Sequence, residues 1–271
     1  MKNPSKQTQR YLEEIYSKYQ LIPTIKAEFR KFLKDNNLES EDGTDTEFHL
    51  DVLTQICLHR QADVITMVGI LSPKHGTPQE VADRLVMACE FDFLSYSMDT
   101  NKFSLMYDIC DDTKSMLEKY QYPLPMIIPP EKVTKHKNTG YLTITNPIIL
   151  NGSEYFDDKD VCFDHINRAN SVPLVLDFKV IDSGEGRYVK EKRKPGEAYK
   201  EFLKRSEQSK TFYKNSYSVM EGLRDIADEI YMTHRYDRRG RCYASGYHVN
   251  TQGTDNHKAV TQFKRKELIK G

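Results

Sequence analysis

Five prolines fall within the 29 residues Tyr122–Leu150, at positions 123, 125, 129, 130 and 147. Proline has no backbone N–H to donate, holds its own φ near −65° and pushes the preceding residue out of the helical region. A continuous helix or a central strand is therefore excluded across most of this stretch. The spacing predicts an extended, wrapping connector and sets a boundary. Residues 1–121 read as a helical N-terminal domain, 122–150 as the connector, and 151–271 as a helical segment ending in a β element.

Before the connector, apolar residues at 12, 15, 16 and 19, then at 25, 29, 32 and 33, recur every three or four positions. That period marks a buried helical stripe, so two helices are expected over 5–36, separated at Pro23. Residues 37–48 are acidic and read as a loop. A third helix is expected over 49–71, and a fourth starts at Thr77-Pro78, a capping hydroxyl followed by proline in the first turn. Lys102–Ile109 alternates as a short strand and Asp111–Gln121 reads as a helix.

Beyond the connector, helices are expected at about 158–171, 195–212 and 215–232, with a turn at Ser183–Gly186 between the first two. Gly240–Asn250 alternates like a strand, and Val260–Ile269 supplies a second short element. The fold class is mainly α with a small β element near the C-terminus. An isolated two-stranded hairpin is marginal in water, so this pair is expected to present an edge that another polypeptide completes.

Several classes of function are excluded or disfavoured. The most apolar stretch, Val64–Leu71, has eight residues, against about 18 for a membrane-spanning helix. The first ten residues are polar and lack a signal peptide's apolar core. Five cysteines, at 57, 89, 110, 162 and 242, stand singly with no CxxC, which suits free thiols in a reducing, cytoplasmic setting. His234, Cys242, His248 and His257 match no zinc spacing and read as surface or nucleic-acid-facing histidines plus one packed thiol. Ser183-Gly-Glu-Gly186-Arg187 lacks the lysine and the strand–helix context of a phosphate loop. Paired carboxylates at 13–14, 111–112 and 157–158 lie near helix starts, where capping explains them. No catalytic residue and no metal ligand is assigned.

Charge is more informative. Lys plus Arg and Asp plus Glu number 40 each, so the formal net charge is zero. Residues 1–186 nevertheless carry 29 acidic and 20 basic side chains, and residues 187–271 carry 20 basic and 11 acidic. Such asymmetry favours a polyanion partner at the basic end. Arg187–Lys214 alone holds ten Lys or Arg against four Glu, with Lys192, Arg193, Lys194, Lys204 and Arg205 as its basic patch and aromatic residues between them. A solvated, salt-bridged helix accounts for the same composition equally well.

The sharpest feature is Tyr236-Asp-Arg-Arg-Gly-Arg-Cys-Tyr-Ala-Ser245. On a strand, Arg239, Arg241 and Tyr243 are spaced by two and share one face. Two guanidiniums and a phenol there suit phosphates and a base or sugar. Gly240 permits a tight turn or close backbone approach, and Asp237 is placed to orient one arginine. A structural ion-pair cluster is the competing reading.

These residues resemble the DxxGR motif of the phage/mitochondrial single-subunit RNA polymerase family. Asp237-Arg-Arg-Gly-Arg241-Cys-Tyr243 is followed by Asn250-Thr-Gln252-Gly253-Thr-Asp255 and Lys258, similar to the family's Asn-x-Gln-Gly-x-Asp segment, although Tyr243 and Gln252 stand one residue further apart than in the best-known phage members. In the connector, Pro129-Pro130-Glu-Lys-Val133 and Thr139-Gly140-Tyr141 resemble Pro-Pro-x-x-Trp and Gly-Gly-Tyr, with Val133 in place of tryptophan and Thr139 in place of glycine. Val161–Ser171 is similar to a family helix ending in Gln-Asn-Thr. The resemblance covers residues 122–271 and leaves 1–121 without a counterpart.

The resemblance implies the N-terminal-domain and start-of-palm portion of that polymerase fold. The chain ends before the family's catalytic palm and fingers, so it looks like the small N-terminal subunit of a split enzyme, similar to the two-chain middle-gene RNA polymerases of N-four-type podophages. The implied partners are a second subunit carrying palm and fingers, the DNA template and nascent RNA, and a promoter-recruiting accessory protein, in the bacterial host cytoplasm and without a membrane. Mg2+ is implied on the partner chain, with none bound here. Arg241 and Tyr243 are expected to touch the template or the RNA–DNA hybrid, with Arg239, Gln252 and Lys258 as supporting contacts, and Asp237 and Gly240 shaping the motif. The alternative expectation is a stand-alone nucleic-acid-binding or transcription-regulatory protein.

Overall fold

A computed structural model describes residues 2, 4–38, 44–59, 61–91, 93–150, 161–183 and 191–266. The expected Ser183–Gly186 turn, Arg187 and Lys190 of the basic stretch, the 157–158 carboxylates and the end of the last element lie wholly or partly outside these residues. Two compact units are present, Lys18–Leu117, and Met1–Ser17 together with Glu118–Gly271. Helix α1 (Lys6–Ile15), capped by the Ser5 hydroxyl accepting from Thr8 N at 3.1 Å, is thus grouped with the later part of the chain.

The Lys18–Leu117 unit is built on helices. Pro23 does not merely separate two helices; it lies in the first turn of α2 (Ile22–Asp35), where a missing N–H removes no intrahelical bond. Ile25, Phe29 and Leu33 of α2 are buried at a spacing of four. α3 (Thr44–His59) starts inside the stretch read as an acidic loop, because Asp45 and Glu47 occupy its first turn, where negative charge suits free N–H groups. The single helix expected over 49–71 is two, α3 and α4 (Val64–His75). Asp63 divides them, its Oδ1 accepting from Thr66 N at 2.7 Å, an N-cap that outweighs the continuous apolar period. Ala62–Asp63 forms β1, and β2 (Leu94–Ser97) and β3 (Lys102–Leu105) complete an antiparallel sheet of order β1-β3-β2. α5 (Pro78–Ala88) starts where predicted, with a complete capping box between Thr77 and Glu80. α6 (Asp111–Tyr120) follows.

In the other unit, residues 121–150 contain no helix and no multi-residue strand, as the prolines require. They are followed by α7 (Phe163–Asn170), β4 (Leu174–Leu176), α8 (Phe178–Ser183), α9 (Tyr199–Ile226), β5 (Thr233–Tyr236), β6 (Cys242–Ser245), α10 (Asp255–Val260) and β7 (Thr261–Phe263). Helices expected at 195–212 and 215–232 are one 28-residue helix, α9. Its sequence has no proline to break it; it ends at Ile226, where Ala227 is extended, and Ile230 and Tyr231 beyond it bridge Leu174 and Met126. The expected pairing of the last two β segments is also different. β6 pairs with β5, and β7 pairs with β4, Val175 opposite Gln262. β6 thus takes the preceding strand across a short turn, whereas β7 takes the distant β4, a choice made by tertiary packing rather than by alternation.

The core of this unit gathers Tyr217, Val219, Met220 and Leu223 of α9 against Leu12, Ile127, Ile230, Met232 and Val249. His248 is buried beside it. Its Nδ1 accepts from the Ser216 hydroxyl at 3.1 Å and its Nε2 donates to the Lys119 carbonyl at 3.0 Å, which makes it a neutral imidazole. Burial pushes its pKa down to about 4, against the opposing pull of the Lys119 and Glu118 carbonyls. The unfolded chain takes up this proton near pH 6.5. Stability is therefore full above pH 6.5 and falls as pH drops from 6.5 toward 4, with His248 contributing on the order of 3 kcal/mol. Urea midpoints across this range should fall for the natural chain and fall less steeply for His248→Gln. An equal slope in the variant removes His248 as a cause.

Candidate functional site

The residues between β5 and β6 form a five-residue turn, with Tyr236 opposite Cys242. Asp237 organises it. Its N–H donates to the Arg241 carbonyl at 2.9 Å, and its carbonyl accepts from Gly240 N at 3.0 Å. Its Oδ1 accepts from both Arg239 N and Arg241 N at 2.9 Å. Its Oδ2 accepts from Arg241 Nε at 2.7 Å, with Arg239 Nη2 at 3.4 Å and the Tyr243 hydroxyl at 3.5 Å. Gly240 has φ +79°, a conformation that glycine adopts without a Cβ penalty. The Arg241 N–H, and then its guanidinium, hold the Asp237 carboxyl below the ordinary aspartate range despite the opposing effect of desolvation.

Arg239, Arg241 and Tyr243 are brought together, but not by strand alternation. β6 begins only at Cys242 and ends at Ser245, so both arginines precede it and converge through the shared carboxylate. The Asp237 side chain is 16% exposed, whereas Arg239 and Arg241 are 73% and 54% exposed. Arg241 also lies 5.6 Å from the Tyr243 ring centroid, within cation–π range. The turn thus hides its one anion and presents its cations.

Gln252 has a different placement from that of a free polar contact. Its Oε1 accepts from Ala244 N at 2.8 Å and its Nε2 donates to the Cys242 carbonyl at 3.2 Å. The carboxamide therefore completes the outer edge of β6 as a peptide group would. Lys258 lies exposed on α10 and pairs with Asp255 at 3.4 Å. His248 and His257 are each 2% exposed and His234 is half-buried, so none is the surface histidine expected.

Sequence reasoning named the segments that support the turn but gave their residues no supporting role. His234 Nδ1 donates to Asn170 Oδ1 at 2.9 Å, and Asn170 Nδ2 donates to the Thr139 carbonyl at 2.9 Å. Glu131 N donates to the Gly140 carbonyl at 2.9 Å. Gly140 has φ +110°, and a Cβ there would stand 2.7 Å from Pro130 Cβ and 3.2 Å from Asn170 Nδ2. Asn167 grips Val133 through both backbone groups, at 2.8 and 2.9 Å. Arg235 Nε donates to the Pro147 carbonyl at 2.7 Å. The connector segments, the end of α7 and the β5–β6 hairpin are therefore one packed assembly. Asn170 is buried beside Ile166 on an otherwise polar helix, so composition alone gave no signal for its role.

The basic patch divides. Arg205 is clamped by Glu197, Nε to Oε1 at 2.8 Å, and by Glu191. Hydrogen bonding from Arg205 and the Lys194 N–H brings the Glu197 carboxyl down to about 2. Arg193 Nε donates to the Glu197 carbonyl at 2.8 Å. Lys192, Arg193, Lys194 and Lys204 are exposed. Among the described residues, no group of three or more His, Cys, Asp or Glu could hold a metal ion, and no helix is long and apolar enough to cross a membrane.

The turn depends on one carboxylate, which gives a direct test. Asp237→Ala should raise hydrogen exchange at the Arg239 and Arg241 amides at least tenfold while leaving the β4–β7 amides unchanged. Because the folded carboxyl titrates below its unfolded value, the turn's contribution is complete above about pH 4 and is lost only as pH falls through the depressed value. Unchanged exchange in the variant would show that the turn holds without its acceptor. No family model matches this chain and no curated protein matches it.

Proposed function

We propose that this chain is the non-catalytic subunit of a two-chain DNA-directed RNA polymerase of the phage/mitochondrial single-subunit type, contributing template and RNA–DNA hybrid contacts. The observation that carries this reading is the packing of the three motif-bearing segments on one another. Pro130, Gly140, Asn170 and His234 meet beneath a hairpin whose arginines face outward. Segments that resemble one family in order along the chain are also neighbours in space.

The chemistry divides between the two chains. Two Mg2+ ions on the partner's palm would supply the metal-assisted phosphoryl displacement. This chain's part is positioning and electrostatics. Arg241, held at Nε by Asp237, directs its remaining N–H groups at backbone phosphate, and Arg239 adds a second cation. Tyr243 supports the Arg241 guanidinium. Gln252 holds β6 in shape, and Lys258 and the exposed patch lysines add sequence-independent attraction to polyanion.

Co-expression with the chain that carries palm and fingers should yield a complex that makes RNA on single-stranded template, while this chain alone makes none. A charge-assisted hydrogen bond is worth about 1.5–3 kcal/mol, so Arg241→Ala should lower the elongation rate about ten- to a hundredfold with co-purification unchanged. RNA synthesis by the isolated chain, or full activity in the variant complex, overturns the proposal.

A further inference from the structure

A cavity of about 420 Å³ opens behind the arginine turn. Its walls are Ile149, Val161, Cys162 and Tyr236, and the turn residues Arg238 and Gly240, with Asp237, form its mouth. Its shape follows from the assembly described above. Tyr236 is hydrogen-bonded on both sides to the end of the connector, Tyr236 N to the Ile148 carbonyl and Leu150 N to the Tyr236 carbonyl, each at 2.7 Å. The Tyr236 hydroxyl donates to the Cys162 carbonyl at 3.2 Å, which fixes the wall at the start of α7. Behind the cavity, Val133, Ile148 and Ile166 pack with Tyr236 into a small apolar core.

The lining, Ile149, Val161 and the Tyr236 ring beside arginines, suits an apolar body joined to an anion. Its volume lies within the range of small-molecule sites, about 300–1,000 Å³. The one ring hydroxyl on its wall is already bonded to Cys162, so the interior favours burial and stacking over hydrogen-bonded recognition. A Cβ on Gly240 would meet nothing within 4 Å, which leaves the mouth open beside the backbone. The Arg239 and Arg241 guanidiniums stand in the same turn, more than half exposed, and the neighbouring carboxylate already accepts five hydrogen-bonding or ionic contacts from within the turn.

We propose that this cavity takes one unpaired base of a single-stranded nucleic acid, with the adjoining phosphate on Arg239 and Arg241. It names a base subsite within the nucleic-acid interface proposed above and rests on that reading. Stacking and burial without edge-specific hydrogen bonds predict tolerance of base identity.

Cys162 makes the cavity testable, because this residue lines the wall and is exposed, while Cys110, also exposed, lies in the other unit and serves as an internal control. The full-length chain at low salt is treated with N-ethylmaleimide, and labelling at each cysteine is followed by peptide mass spectrometry. A ten-nucleotide thymidine oligomer should slow labelling of Cys162 at least fivefold and leave Cys110 unchanged. An abasic oligomer of the same length should bind and protect less than twofold. Equal protection by the abasic oligomer overturns the base assignment, and equal protection by thymidine monophosphate alone overturns the strand assignment. Oligomer binding, measured by anisotropy, with Cys162 unprotected overturns the pocket and leaves the interface reading standing. Failure of both oligomers to bind overturns the pocket and the chain's own contact with nucleic acid, while RNA synthesis by the two-chain complex tests the subunit assignment separately. As a second measurement, Cys162→Phe fills the cavity and should weaken thymidine-oligomer binding at least fivefold without changing abasic binding. Equal affinities in that variant overturn the proposal.

Discussion

A proline-rich segment that packs inward has too few ladder hydrogen bonds for its own backbone, and every buried N–H and carbonyl it carries still needs a partner. Side chains from elsewhere meet that requirement here. Gln9 Oε1 accepts from Ile127 N at 2.8 Å. Glu13, 3% exposed, accepts from Leu142 N at 3.0 Å, from Thr143 N at 2.7 Å and from the Thr143 hydroxyl at 2.6 Å. Asn167 grips Val133, and Asn170 holds Thr139. Leaving one such buried group unmatched costs about 1–3 kcal/mol, so these side chains determine the path of the connector and draw α1 into the unit that contains it.

The same requirement positions the hairpin. Asn170 uses its two amide ends differently, the nitrogen for the connector and the oxygen for His234 on β5. That arrangement sets the His234 tautomer, with the proton on Nδ1, and burial pushes the imidazole pKa down, which keeps it neutral. Gly140 passes so close to Pro130 and Asn170 that no side chain fits. The hairpin therefore stands on a scaffold with few alternative arrangements, and its outward arginines are held by Asp237 rather than by one another. Preorganisation of this kind lowers the ordering cost of a contact made at the turn.

The formal charge of zero conceals this division. Part of the positive excess after residue 187 is neutralised internally, as at Arg205 with Glu197 and Glu191. The cations that remain outward include Arg239, Arg241, Lys204, Lys258 and those along 192–194. Their placement carries more meaning than their number, since exposed ion pairs contribute little while guanidiniums around a shared carboxylate keep a defined geometry.

The sequence by itself determined the mainly helical class, the absence of helix and of multi-residue strand across 121–150, the Thr77 cap and α6, because proline chemistry, capping and helical period are local properties. It also identified Asp237, Gly240 and the two arginines as one cluster. Local reasoning did not extend to the break at Asp63, just ahead of the apolar run Val64–Leu71, or to the continuity of α9. Tertiary structure alone decided that β7 pairs with β4 rather than with β6, because short strands take whichever edge packing brings near. It also laid the exposed Gln252 along the edge of β6 and buried His248 and His257. Partner choice for a backbone or side-chain polar group depends on what lies next to it in space, and spacing along the chain carries no record of that.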